Sequence, residues 1–186
     1  MPFRPFRRKR PAFNRPGLQA NPLLQTANNL LASGHPGEAA TLFSQLAHQM
    51  ETKGQAIRAA NLHARAAHAF ADSNAEEKSL AEARLAMAQF KALNLTDRMP
   101  VFYRNITRKF RNRGMHQALR ILEGEFGAQL TMPLSSTDLP LRDTPAILPD
   151  ECPHCGAPVL DTAIEWIDSG RVRCEYCGGI ITEQSK

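Results

Sequence analysis

The chain has little sulfur and few large aromatic rings: four cysteines, two tyrosines and one tryptophan in 186 residues. Four cysteines are too few to staple a chain of this length, because secreted domains held by disulfides are small and cysteine-dense. No stretch approaches the roughly 18 apolar residues that read as a membrane-crossing helix. The basic N-terminus is not followed by an apolar segment and a small-residue cleavage site, so the expected location is the cytoplasm, where thiols stay reduced. Catalytic signatures are missing as well. The six histidines, His35, His48, His63, His68, His116 and His154, are scattered without an HExxH pattern, and no phosphate-cradling glycine loop, GxSxG elbow or dinucleotide fingerprint occurs. Glu76, Glu77 and Glu82 read as the solvated face of a helix whose first turn favours acids. Nothing in the chain proposes an enzyme.

Acidic residues are absent from the first 20 positions, which carry Arg4, Arg7, Arg8, Lys9, Arg10 and Arg15 interleaved with Pro2, Pro5, Pro11 and Pro16. That composition sustains neither a helix nor a core, so residues 1–20 are expected to form a disordered basic arm. Residues 21–130 hold 13 bases against 9 acids, and residues 131–186 hold 4 against 9. The net charge of +5 therefore conceals a basic beginning and an acidic end. Phe3, Phe6 and Phe13 add apolar grip to the arm, whose candidate partners are anionic lipid, nucleic acid or an acidic protein surface, an inert tail being the alternative.

What is present is concentrated in the cysteines. Cys152-Pro-His-Cys155 and Cys174-Glu-Tyr-Cys177 use all four, as two CxxC pairs 18 residues apart, each followed by glycine. A CxxC turn lets two thiolates converge on one ion, and a hairpin that joins two such turns completes a tetrahedral sulfur shell suited to structural Zn²⁺. Iron in the same shell is the nearest alternative. A thiol redox role for Cys152 and Cys155 is another, but it wants a strand before the motif and a βαβ remainder after it, and only 31 residues follow Cys155. With four thiolates available, His154 is expected to be a second-shell or solvent-facing group.

CPHCG followed by CEYCG resembles the zinc ribbon, a small β module with two CxxCG knuckles, over about residues 150–183. Between the knuckles, residues 158–160, 162–167 and 171–173 read as short strands, with Asp168-Ser169-Gly170 as a turn. So small a segment needs the metal for most of its folding free energy. Trp166 is expected in its core, with a partner contact as the alternative.

From Asn21 to Phe126 the periodicity is helical. Helices are expected from Asn21-Pro22 to Gly34, from Pro36 to Gly54, over about 55–72, 75–93 and 98–112, and beyond Gly114. The stretch from Leu30 to Phe43, with Gly34 ending one helix, Ala39 at the crossing and Phe43 filling the next gap, resembles a tetratricopeptide repeat. Phe70, Asn74 and the segment from Leu80 to Phe90 form a weaker copy shifted by 40 residues, where the family period is 34. In the fifth helix, Arg104, Arg108 and Arg111 share the face opposite Phe102 and Ile106, a candidate site for an acidic peptide, nucleic acid or the acidic end of the same chain.

The expected organisation is a basic arm (1–20), a tetratricopeptide-like helical domain (21–130), a Pro-rich linker (131–150) and a zinc ribbon (151–186). The fold class is mainly α, an antiparallel helix-hairpin array plus a small β ribbon. The expected function is a non-enzymatic, zinc-binding adaptor for a protein partner. The alternative is a nucleic-acid-associated protein that uses Arg7, Arg8, Lys9 and Arg10 with the fifth helix.

Overall fold

The computed structural model describes residues 21–130, 148–157, 159, 164–167, 170–174 and 176–182, without the side chains of Gln129 and of residues 164–166. The arm with Arg7, Arg8, Lys9 and Arg10, the linker apart from residues 148–150, and the Trp166 side chain lie outside this description.

Six helices follow one another: α1 (Pro22–Ala32), α2 (Pro36–Thr52), α3 (Ala56–Asp72), α4 (Glu76–Ala92), α5 (Arg98–Asn112) and α6 (His116–Leu122). Asn21 opens the first, its Oδ1 accepting from the Leu23 amide at 3.0 Å ahead of Pro22 in the first turn. All five inter-helix turns have one design. Gly34, Gly54, Asn74, Asn94 and Gly114, spaced every 20 residues, take positive φ. The next amide in each case donates five residues back, from His35, Gln55, Ala75, Leu95 and Met115 to the carbonyls of Leu30, Met50, Phe70, Phe90 and Phe110, at 2.8–2.9 Å. This is the Schellman closure, in which a left-handed residue satisfies the orphan carbonyls of a helix end and reverses the chain. It sets α2, α3 and α4 at 17 residues each.

Successive helices pack as antiparallel neighbours, α3 also meets α5, and α4 also meets α6. Odd-numbered helices therefore form one layer and even-numbered helices the other. Alanine-rich α3 stands between two apolar clusters. Its Ala59, Ala66 and Ala69 join Phe43, Leu46 and Met50, while Ala60, Ala64, Ala67 and Ala71 join Met87, Phe90, Phe102 and Phe110. Small side chains let its neighbours approach on both flanks. Beyond Leu122 the expected sixth helix is not regular α: Glu123–Gly127 widen into a π-helical turn before Ala128–Leu130.

The C-terminal module is a three-stranded antiparallel sheet in the order β1 (Ile164–Trp166), β2 (Arg171–Cys174), β3 (Ile180–Thr182). Its register sets Trp166 opposite Val172 and Val172 opposite Ile181. Val172 and Ile181 are buried with Ala157 and the four cysteines. Sequence periodicity missed β3, and Val159, expected in a strand, lies in irregular chain. The module packs on the odd-helix layer, across α1, α3 and α5.

Candidate metal centre

The two cysteine turns are built alike. Cys152 N donates to Ala157 O at 2.7 Å and Gly156 N to Cys152 O at 2.8 Å; Cys174 N donates to Gly179 O and Gly178 N to Cys174 O, both at 2.9 Å. Gly156 and Gly178 occupy the left-handed position, with φ of +69° and +66°. The turns face each other, with Cys152 Sγ 3.9 Å from Cys177 Sγ and Cys155 Sγ 3.8 Å from Cys174 Sγ. All four sulfurs lie within 4.8 Å of one another and all four residues are buried. Sulfurs bound at about 2.3 Å to one tetrahedral ion stand about 3.8 Å apart, so the donor set fits a metal ion. Crowding sets the acidities against each other. Hydrogen bonds from Cys155, Cys174 and Cys177 hold the Cys152 thiol far below its usual range, whereas burial, then Cys152, pushes Cys155 well above it. A divalent cation removes that conflict by holding all four as thiolates.

The cysteine module is fastened to the helices through its first knuckle. Three consecutive carbonyl oxygens, those of His154, Cys155 and Gly156, accept from Asn61 Nδ2 (2.8 Å), Arg65 Nη1 (2.9 Å) and Asn28 Nδ2 (3.2 Å). Arg65 is 1% exposed. Its Nη2 donates to Asn28 Oδ1, and its guanidinium carbon lies 4.0 Å from the centre of the Phe43 ring. Burial lowers the Arg65 pKa, and the negative charge of Cys155, Tyr176, Cys174 and Cys177 offsets part of that effect. A buried guanidinium keeps its proton, so it needs such a counter-charge.

Asn61, Arg65 and His68 lie at i, i+4 and i+7 and so form one stripe of α3. His68 continues the contact, its ring 5.5 Å from those of both Phe102 and Tyr176 and steeply inclined to each. Among the described residues, neither of its nitrogens has a hydrogen-bond partner. Burial first, then Lys109 and Arg108, drives its pKa well below the ordinary value.

The second knuckle rests on the start of α5. A Cβ on Gly178 would stand 3.0 Å from Arg98 O and 3.1 Å from Arg98 Cα, so glycine is required there for the close approach as well as for its φ. His154 ties the two knuckles together: its Nε2 donates to Ile180 O at 2.9 Å, and its Nδ1 accepts from Arg98 Nη2 at 3.4 Å. Arg98 Nη1 in turn donates to Asn61 Oδ1 at 3.1 Å. His154, exposed to solvent, thus buttresses the cysteine turn from outside the four sulfurs.

The remaining candidates divide. On α5, Arg108 and Arg111 are exposed and Arg104 is half-buried. Arg111 pairs with Glu123 at 3.4 Å, while Lys109 and Arg113 converge on Asp72 at 2.8 and 3.1 Å. Glu82, expected on a solvated face, is only 7% exposed, because it bonds Ser44 Oγ at 2.6 Å and His63 Nδ1 at 2.7 Å. The histidines are less scattered than their spacing suggests, since His48 and His63 meet at Glu51. Sequence reasoning passed over Asn28, Asn61 and Arg65, and counted Arg98 only in the basic run of the fifth helix. For Asn61 and Arg65 the one signal is the polar 61/65/68 stripe on an otherwise alanine-rich helix.

No helix among the described residues is long and apolar enough to cross a membrane. Compared with protein-family models, curated proteins and solved structures, the chain matches none of them.

Proposed function

We propose that the protein is a non-enzymatic, zinc-binding interaction protein: a tetratricopeptide-like helical array with its own zinc ribbon seated on the odd-helix face, the two presenting one composite surface to a protein partner. The observation that carries this reading is the closed sulfur shell. Four buried cysteines with sulfurs within 4.8 Å of one another can supply every ligand of a tetrahedral ion, and a shell filled by protein leaves no place for water or substrate, as in structural metal sites. Zinc suits such a shell better than iron because it has no redox chemistry and no geometric preference of its own beyond what the ligands impose. A cytoplasmic setting accords with four thiols held reduced for a metal.

The rival readings have less behind them. Cys152 and Cys155 are buried and each abuts a cysteine of the other turn, a poor arrangement for thiol exchange. On α5, Lys109, Arg111 and Arg113 already face acids of this chain, which weakens that helix as a phosphate-binding stripe.

The test is purification of the full chain from its own cell, identification of what accompanies it, and reassembly of the complex from purified components. A stoichiometric protein complex that resists nuclease and contains one ribbon zinc per chain is the expected result. Recovery of nucleic acid instead, with a log–log salt slope that shrinks when Arg104, Arg108 and Arg111 are neutralised, overturns it.

A further inference from the structure

On the opposite side of α3 from the ribbon lies a second cluster of metal-binding side chains. His63 is two residues beyond Asn61, about 200° round the helix, and so faces away from the ribbon stripe. His48 and Glu51, three residues apart on the last turns of α2, reach it across the reversal at Gly54. His48 Nδ1 is 2.8 Å from Glu51 Oε2, and His63 Nε2 is 3.1 Å from Glu51 Oε1. One donor atom from each of the three falls within 4.8 Å of the others. The two imidazole rings stand 5.2 Å apart, inclined at 74°.

We propose that His48, Glu51 and His63 form a second, exchangeable Zn²⁺ site with water as the fourth ligand. Two imidazoles and one carboxylate around an ion with an open position are a common zinc donor set. The support behind the ligands is what separates this cluster from a chance surface pair. His63 is fully buried, and its Nδ1 is held at 2.7 Å by Glu82 Oε2, while Glu82 Oε1 accepts from Ser44 Oγ at 2.6 Å. A carboxylate on the far nitrogen fixes the tautomer of a metal-binding histidine and aims the lone pair of the near nitrogen at the ion. Glu51 is oriented as well, by Gln89 Nε2 from α4. The Gln89 Oε1 is buried without a partner among the described residues, which leaves an oxygen ligand to spare beside Glu51. On the outer side, the His48 side chain is 58% exposed and that of Glu51 is 34% exposed, so ion and water have access. The cluster is therefore open where the cysteine shell is closed, and its ion would exchange while the ribbon ion stays.

The test uses the full chain with its cysteine site filled. Titration with Zn²⁺ in a non-chelating buffer should show one further equivalent. Co²⁺ bound there should give visible ligand-field bands without the sulfur-to-cobalt charge-transfer absorption of a thiolate site. His48→Ala, at an exposed position, should weaken that binding at least tenfold and leave the melting temperature before the added Zn²⁺ unchanged. Glu82→Gln should weaken it by about 10- to 100-fold, the usual effect of losing the carboxylate that holds a metal-binding histidine. A control with the exposed His116 replaced by alanine should bind as the parent does. No further equivalent at millimolar metal, or equal binding by His48→Ala and the parent, overturns the proposal and leaves the cluster an ion-pair network.

Discussion

Arg65 Nη1 donates to the carbonyl oxygen of Cys155 at 2.9 Å, joining residues 90 positions apart through a bond buried from solvent. The same guanidinium also holds Asn28 and lies over Phe43, so one side chain links the cysteine turn to α1, α2 and α3. Arg65→Met keeps the bulk of the stem but leaves the Cys155 and Asn28 oxygens without their donors. It is expected to cost about 2–4 kcal/mol, in the range of other losses of one partner from a buried charged contact. Urea unfolding followed by circular dichroism measures this. Arg65→Lys, which lacks the planar fork, should recover less than half of the loss.

Removal of the metal should affect more than the small module. With the thiols protonated, Arg65 loses the negative charge that favours its burial. Chelation, or Cys174→Ser, should abolish the ribbon fold yet preserve most of the helical signal, and the helices should then melt at a lower temperature. A helical melting temperature that does not respond to chelator would show that the docking contributes nothing to the array.

Gly178→Ala tests the second contact. The new methyl needs a φ that costs an L-residue about 1–2 kcal/mol, and it meets the Arg98 backbone at 3.0 Å. Gly34→Ala pays a similar conformational cost, with nothing within 4 Å of its Cβ. Gly178→Ala should therefore be the more destabilising of the two, and it alone should accelerate metal release to a chelator.

His68 gives the stability a definite pH dependence. Its pKa is depressed in the folded chain, by burial and then by Lys109 and Arg108, and returns to about 6.5 on unfolding. Between those two values the unfolded chain binds more protons, so His68 destabilises the fold as pH falls below about 6.5, by up to about 1.4 kcal/mol per pH unit. His68→Phe retains a ring against Phe102 and Tyr176 and removes that titration. The stability difference between parent and variant should move in favour of the variant from pH 7 to pH 5. Parallel profiles would mean that His68 takes up its proton as readily in the folded chain as in the unfolded one.

Ala39 and Phe43 are both fully buried where α2 crosses its neighbours. Ala39→Leu should overpack this crossing and cost on the order of 1–3 kcal/mol, measured by thermal unfolding. A neutral outcome would place a void at the crossing.

Much of this architecture was legible in the sequence. The expected third and fifth helices, 55–72 and 98–112, correspond to Ala56–Asp72 and Arg98–Asn112, because apolar periodicity and turn residues agree there. The gathering of the four cysteines follows from their spacing. Less visible was the 20-residue recurrence of left-handed turn residues, since asparagine stands in for glycine at Asn74 and Asn94. Least visible was the docking. Asn61, Arg65 and His68 have the polarity of a solvated helix face, and only the arrival of the cysteine turns shows why they are buried. Glu82 misled for the same reason: its partners, Ser44 and His63, sit on other helices. A three-residue strand such as β3 is too short for alternation to declare itself.

The docked module also orders the events of folding. Most contacts of the helical array join consecutive helices, which close at little loop-entropy cost. The contacts that seat the cysteine turns join residues 56–128 positions apart, so none can form until the cysteine segment has been synthesised. Until then the 61/65/68 stripe of α3 is bathed in water, as its polarity suits. The cysteine segment follows the helices in the chain, and the face of α3 that it covers is polar rather than apolar.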